Sequence, residues 1–321
     1  MNYFDSAKKF NQQGYYNSEV LFANTQIEHI REAFEESFLK KKFPREMSLF
    51  DIEDEQVIQI ILKALNSDAI QSILNEISKY SNTKISILPP FFIQRNYHID
   101  LLKSLGWHRD CGGEFLYKYC TKKLCDKSYV MGKLGIYFQE NDEFGGSIDL
   151  IPYSHRYFNP KTIFIRKLKG IPLFITGKLH SYFQKIYRCL PEKFYMNSIG
   201  AKRMYPTIGS PVLFDSRIIH RGSPIDNKVR DKVNFSSTPH HAEVPKTKTK
   251  YSLYVHFGSS IAVDSYMFDR LKREGHSSEL KIWCNDQKMV EKFIPNLALS
   301  IKDIIGPVLP KYNQYLYNNQ K

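Results

Sequence analysis

Apolar positions in the first eighty residues recur at helical spacing. Ile27, Ile30, Phe34 and Phe38 form one stripe with polar residues between them. Val57, Ile60, Ile61, Ala64 and Leu65 form a second, and Ile70, Ile73, Leu74 and Ile77 a third. Each stripe predicts a helix that packs one apolar face on a core. From about residue 84 the pattern shortens. Apolar runs at 85–93, 133–138, 147–151, 211–219, 232–236 and 251–257 predict strands. Turn residues lie between them, including Asn141-Asp142, Gly145-Gly146, Pro224 and Asp226-Asn227. Many short strands in one region predict a sandwich or barrel. A lysine-rich segment, 156–205, interrupts them and reads as helical. The pattern is helical again beyond Asp264, until Pro307 and Pro310. Neither an internal repeat nor a low-complexity linker divides the chain. A single domain over 1–321 is expected, with helices at 1–83, a β core at 84–260 carrying the 156–205 insertion, and helices at 261–321.

Composition adds bounds. The 321 residues are 42% hydrophobic and 25% charged, which supplies one sizeable core. The start, MNYFDSAKKF, lacks the basic-then-apolar pattern of a signal peptide. No apolar run has the length of a membrane span. Cys111, Cys120, Cys125, Cys189 and Cys284 are odd in number and contain no CxxC pair. They read as reduced thiols, and their spacings do not fit a zinc site. A cytoplasmic protein without a transmembrane segment is expected. Lys plus Arg number 46 against 33 Asp plus Glu, a net charge of +13. The charge is concentrated: from Arg156 to Arg203 there are eleven Lys or Arg and one acid, Glu192.

Three pieces carry chemistry together. In an extended chain, residues i and i+2 project to one face. His108 and Asp110 can therefore present an imidazole and a carboxylate to one point. Along 211–220 the same alternation puts Val212, Phe214, Ile218 and His220 on a shared face, with His220 at a strand end. Two histidines and one carboxylate are the donor set that holds Fe(II) on one side and leaves positions open for co-substrate and O2. Arg230 follows His220 by ten residues across a turn, and can return to grip a carboxylate in a bidentate fork. An HxD pair alone is weak, because a buried His–Asp hydrogen bond is its usual explanation. The ordered set is much less accidental.

These residues resemble a known family. Gly106-Trp107-His108-Arg109-Asp110 is similar to the WHxD segment of the phytanoyl-CoA dioxygenase family. Residues 145–155 resemble its G-x-L-x-V-I-P-G-S-H stretch, and 209–220 its strand that ends in histidine. The likeness runs loosely over 10–260 and tightly over these motifs. It implies a mainly β fold with flanking helices around a double-stranded β-helix core of jelly-roll, cupin-like form. It implies iron held by His108, Asp110 and His220, and 2-oxoglutarate held by Arg230. The implied reaction couples decarboxylation of 2-oxoglutarate by O2 to hydroxylation of a substrate. Related halogenases carry a small residue where Asp110 stands, so this carboxylate points to hydroxylation. Tyr153 replaces the usual Gly of the family stretch, and Gly222 stands where several relatives have a Ser that holds the co-substrate. The second co-substrate contact then falls to one of Tyr137, Gln94 or Arg95, each of which also reads as ordinary strand packing or a surface position.

Substrate identity has one handle, the basic 156–205 segment. A solvated helix face and an electrostatic funnel for an anionic small molecule explain it equally. Lys167, Lys169 and Arg188 are the candidate contacts for a phosphorylated, nucleotide-, carrier- or lipid-linked substrate. Its mixed basic and apolar character also suits peripheral contact with an anionic membrane. Rival readings are a nucleic-acid demethylase using the same iron site, a non-catalytic basic binding protein on the same fold, and a zinc hydrolase. The phytanoyl-type motifs argue against nucleic acid as a partner. Intact His108, Asp110, His220 and Arg230 argue against a dead relative, and the zinc reading leaves Arg230 unexplained. His155, His240, His241 and His256 have no spacing that compels a role. Cys111, beside a candidate ligand, is open to oxidation but reads first as a packed thiol.

Overall fold

The three stripes fold into helices. Helix α1 (Tyr3–Gln13) precedes them. Helix α2 (Asn24–Lys40) buries Ile27, Ile30, Phe34 and Phe38. Helix α3 (Glu55–Leu65) buries Val57, Ile61, Ala64 and Leu65, and α4 (Asp68–Ser81) buries Ile70, Ile73, Leu74 and Ile77. The Asp54 carboxylate accepts the backbone N–H groups of Gln56 and Val57, which satisfies two free donors at the start of α3. In this computed structural model the described residues are 3–41, 46–95, 107–110, 127–155, 196–197, 200–232, 234–235, 242–243, 246–274 and 277–310.

Two short strands lie inside the segment expected to be helical: β1 (Tyr15–Asn17) and β2 (Glu46–Ser48). Three residues are too few to show a period of two, which is why the pattern did not announce them. They form the edges of a six-stranded sheet. Its inner strands are β3 (Ser86–Arg95), β4 (Met131–Tyr137), β7 (Pro211–Asp215) and β11 (Tyr251–Gly258), in the order β1-β7-β4-β11-β3-β2. A three-stranded sheet, β6-β5-β8, is built from β5 (Ile148–Ile151), β6 (Lys202–Arg203) and β8 (Ile219–Gly222). Strands β9 (Asn234–Phe235) and β10 (Ala242–Glu243) pair with each other. Every pairing among the described residues is antiparallel. Helices α5 (Ser260–Glu274), α6 (Ser277–Phe293) and α7 (Pro295–Ile305) follow. The architecture is the expected antiparallel β core with flanking helices.

The large sheet has two differently packed faces. Leu134, Ile136, Leu213, Leu253, Val255 and Phe257 belong to the main core with the helices. Tyr15, Tyr137, Val212 and Phe214 pack with Ile148, Leu150, Met204 and Ile218 in a smaller cluster that fills the space between the sheets. The second cluster is the floor of the candidate site.

Two strand expectations and one helical expectation meet a different outcome. The run 211–219 is not one strand. It breaks after Asp215, whose carboxylate accepts the backbone N–H of Arg217 and pairs with its guanidinium. This turn passes the chain from the large sheet to the small one. In the run 232–236, Lys232 ends a 3-10 helix (Asn227–Lys232) and Asn234–Phe235 form β9, while 233 and 236 lie outside the described residues. The 156–205 segment, read as helical, is helical at 196–197 but contributes strand β6 at Lys202–Arg203; residues 156–195 and 198–199 lie outside the described residues.

Candidate metal centre

The turn at 216–218 brings β8 under the HxD segment. His108 and His220 form an antiparallel bridge, each donating its backbone N–H to the other's carbonyl at 2.9 Å. Asp110 N–H donates to the Ser216 carbonyl at 3.0 Å. The period-2 expectation holds: His108 and Asp110 face the same point, and His220 meets them there. His108 Nε2 lies 3.7 Å from Asp110 Oδ1, and His220 Nε2 lies 3.4 Å from Oδ2. The imidazole centroids are 4.4 Å apart. One donor atom from each residue can be chosen so that all three lie within 4.8 Å of one another.

Their surroundings suit ligation. His220 Nδ1 is 3.0 Å from the Ile218 carbonyl, which can only accept, so Nδ1 carries the proton and Nε2 is left with a lone pair. Burial pushes the His220 pKa down to about 4 against the opposing pull of Asp110, so the ring is neutral at neutral pH. Burial works to raise the Asp110 pKa. The charge of Lys133, with His220 and His108, outweighs burial and holds the carboxyl well below the usual carboxylate range. A neutral imidazole and an ionised carboxylate are the protonation states a divalent ion requires. His108 is half exposed and His220 buried, so the site opens toward solvent on the His108 side. Two imidazoles and one carboxylate fit Fe(II) with open positions. They also fit zinc with a bound water.

A second layer holds the bridge from behind. The Asp149 carboxylate on β5 accepts from Arg203, Arg221 and Ser223 at 2.8–3.0 Å. The Arg221 guanidinium then stacks 4.8 Å from the Trp107 ring centroid. The residues before His108 and after His220 are thereby tied together.

The remaining candidates separate. Tyr137 is buried between the sheets, with its hydroxyl 3.3 Å from that of Tyr254 on β11. Burial raises both phenol pKa values, so both remain neutral hydroxyls. Gln94 sits in the same register row as Tyr137, but its amide donates to Glu46 of the edge strand at 3.3 Å. Arg95 pairs in register with Tyr251, which packs against Phe34 and Phe38 of α2 on the helix-covered face. It is not brought to the histidines. The backbone of Arg230 lies in the 227–232 3-10 helix, and its side chain is outside the described residues. Lys167, Lys169 and Arg188 also lie outside them, as do His240, His241, Cys111, Cys120, Cys125, Cys189 and the side chain of Cys284. His155 is tied to the Asn11 carbonyl, and His256 packs on Tyr266 and Trp283; neither approaches the triad. Tyr153 has a left-handed φ of 65°, which explains the glycine of the resembled motif at this place.

Two residues of the site escaped the sequence reading. Lys133 projects from β4 and sets Nζ 3.1 Å from Asp110 Oδ2. Its signal was available: a charge inside an otherwise apolar strand. Tyr254 gave no local signal, because it joins the site only through the register of β11 with β4, opposite Gly135. A Cβ at Gly135 would stand 3.0 Å from the Tyr254 ring, so this glycine makes room for it.

No family model and no curated protein matches the chain. Among solved structures it is similar to HygX from Streptomyces hygroscopicus with nickel and 2-oxoglutarate bound. The identity is 13% and the TM-score 0.45, over 79% of this chain and 86% of HygX. It is similar to EctD from S. alaskensis with 2-oxoglutarate and 5-hydroxyectoine, at 12% identity and TM-score 0.43, over 79% of this chain and 75% of EctD. It is also similar to SnoN, described as a non-heme alpha ketoglutarate dependent epimerase from nogalamycin biosynthesis, at 11% identity and TM-score 0.40, over 80% and 83%. Likenesses at this distance transfer no chemistry to the chain.

Proposed function

We propose that this protein is an Fe(II)- and 2-oxoglutarate-dependent dioxygenase, akin to the phytanoyl-CoA dioxygenase family, that hydroxylates a small anionic substrate. The observation that carries the reading is the convergence of His108, Asp110 and His220 from two distant segments on one point. Iron with 2-oxoglutarate and O2 would supply the oxidising chemistry. The chain supplies geometry. The His108–His220 bridge fixes the two imidazoles, and Asp110 closes the third corner. Asp110 also occupies the place left small in related halogenases, which favours hydroxyl transfer. Arg230 is the proposed anchor for the distal carboxylate of 2-oxoglutarate, and Tyr137 the preferred second contact. Gln94 and Arg95 are weaker, given their placement.

The basic 156–205 segment suits a phosphorylated, nucleotide-, carrier- or lipid-linked substrate, and Lys167, Lys169 and Arg188 are its proposed contacts. No single described helix is long and apolar enough to cross a membrane. We place the enzyme in the cytoplasm, with contact to anionic membranes as an accessory role of the same segment.

The test is anaerobic loading with Fe(II) and 2-oxoglutarate, followed by O2 and a panel of anionic metabolites. Succinate release that a panel member accelerates, and that Asp110→Ala abolishes, is expected. Protein that retains zinc and produces no succinate under any condition would sink the reading.

A further inference from the structure

The metal site contains a cation of its own. Lys133 Nζ lies 3.1 Å from Asp110 Oδ2, with the lysine side chain 20% and the aspartate 8% exposed. Solvent and salt screen such a pair weakly. A neutral donor would orient the carboxylate equally well. The lysine also cancels the charge that attracts a metal, and stands within a few ångströms of any ion the carboxylate holds. At that range, in a site of low dielectric, like charges repel strongly.

The charge count shows what relieves the repulsion. With both imidazoles neutral, as metal ligation requires, Asp110 and Lys133 cancel and the set carries no net charge. A divalent ion leaves the site doubly positive, and a dianion arriving with it restores neutrality. The surroundings offer such a ligand room and donors. A Cβ built on Gly222, two residues beyond His220, meets nothing within 4 Å. The hydroxyls of buried Tyr137 and half-buried Tyr254 lie on the sheet face that Lys133 shares.

We propose that Lys133 makes retention of the divalent metal conditional on a dianionic co-ligand of the 2-oxo dicarboxylate class. This rests on the reading of the triad as a 2-oxoglutarate centre. Binding coupling is reciprocal, so the metal and the dianion each strengthen the other by one factor. Lys133 is the group that enlarges that factor.

The experiment is calorimetric titration of Mn(II), with and without saturating 2-oxoglutarate, into the full chain and its Lys133→Met and Lys133→Arg variants. In the unaltered protein 2-oxoglutarate should tighten Mn(II) binding by about tenfold or more. Lys133→Met should bind Mn(II) alone more tightly than the unaltered protein, and its coupling factor should fall by about tenfold. Lys133→Arg should restore the coupling. Thermal unfolding of each variant checks folding. Metal-free Lys133→Met should melt lower, because Asp110 has lost its partner, and should gain more from Mn(II). Weaker Mn(II) binding by Lys133→Met without 2-oxoglutarate would make the lysine an orienting group and overturn the proposal. So would an unchanged coupling factor, and in that case the proposed function stands. If the unaltered protein binds no Mn(II) even with saturating 2-oxoglutarate, both fall.

Discussion

His108 and His220 donate backbone N–H groups to each other's carbonyls, so one pair of 2.9 Å hydrogen bonds sets the spacing of the two candidate imidazole ligands. The bridge makes the candidate metal centre a property of strand pairing. The imidazoles differ in burial, however, and that difference separates ligation from folding.

Replacing either histidine by alanine should remove metal binding, at a loss beyond the roughly 10–100-fold that an outer contact costs. His108 is 52% exposed at its side chain, so His108→Ala should leave stability within about 0.5 kcal/mol. His220 is 7% exposed and packs 5.0 Å from the Phe214 ring, so His220→Ala should cost about 1–3 kcal/mol. Mn(II) titration and urea unfolding of both variants check the split. Equal destabilisation by the two would contradict the described burial.

Asp286 gives a pH prediction remote from the metal. Burial raises its carboxyl from 3.8 to about 7, against the pull of the Phe91 N–H and the Ser48 hydroxyl that it accepts. Between those values the folded chain keeps a proton that the unfolded chain has released. This group's contribution to stability is therefore complete below 3.8 and is lost as pH rises through about 7. Asp286→Asn keeps an acceptor for Phe91 and removes the ionisation. It should be more stable than the unaltered protein by on the order of 1–2 kcal/mol at about pH 8, with the advantage fading toward about pH 4. Denaturant unfolding at the two pH values measures it, and an advantage independent of pH would refute the assignment.

Two glycines should respond oppositely to a methyl group. Gly222 has open space where a Cβ would go, whereas a Cβ at Gly132 would stand 2.2 Å from the Phe257 ring. Gly222→Ala should change stability by no more than about 0.5 kcal/mol. Gly132→Ala should cost about 1–3 kcal/mol through overpacking. Urea midpoints of the pair are the readout, and a marked loss at Gly222 would mean that the space beside His220 is filled.

The basic segment can be tested by charge alone. Neutralising Lys167, Lys169 and Arg188 together should lower kcat/KM for the proposed anionic substrate and flatten its salt dependence, and should leave the proposed uncoupled 2-oxoglutarate turnover unchanged. Unchanged kinetics and unchanged salt dependence would assign this charge to a solvated face.

Much of the fold was legible because its signals are local. The stripe of Ile27, Ile30, Phe34 and Phe38 is a property of one helix, and each of its members is buried as the spacing required. His108 and Asp110 could be paired from sequence because i and i+2 share a face in any extended chain. The break at Asp215 was less visible. Alternation continues in the side chains across it, Val212, Phe214 and Ile218 all reaching the inner cluster, while the backbone changes sheets.

Local patterning along the chain was enough to give the helix faces, the inward set along 211–220 and the kinds of donor available for a metal. Tertiary structure alone decided that His220 would bridge to His108, that Lys133 would face Asp110, and that Tyr254 would enter beside Tyr137. The reason is physical. Periodicity records which way a side chain points from its own strand, but register and sheet exchange choose its neighbours, and those depend on hydrogen bonds between segments a hundred residues apart.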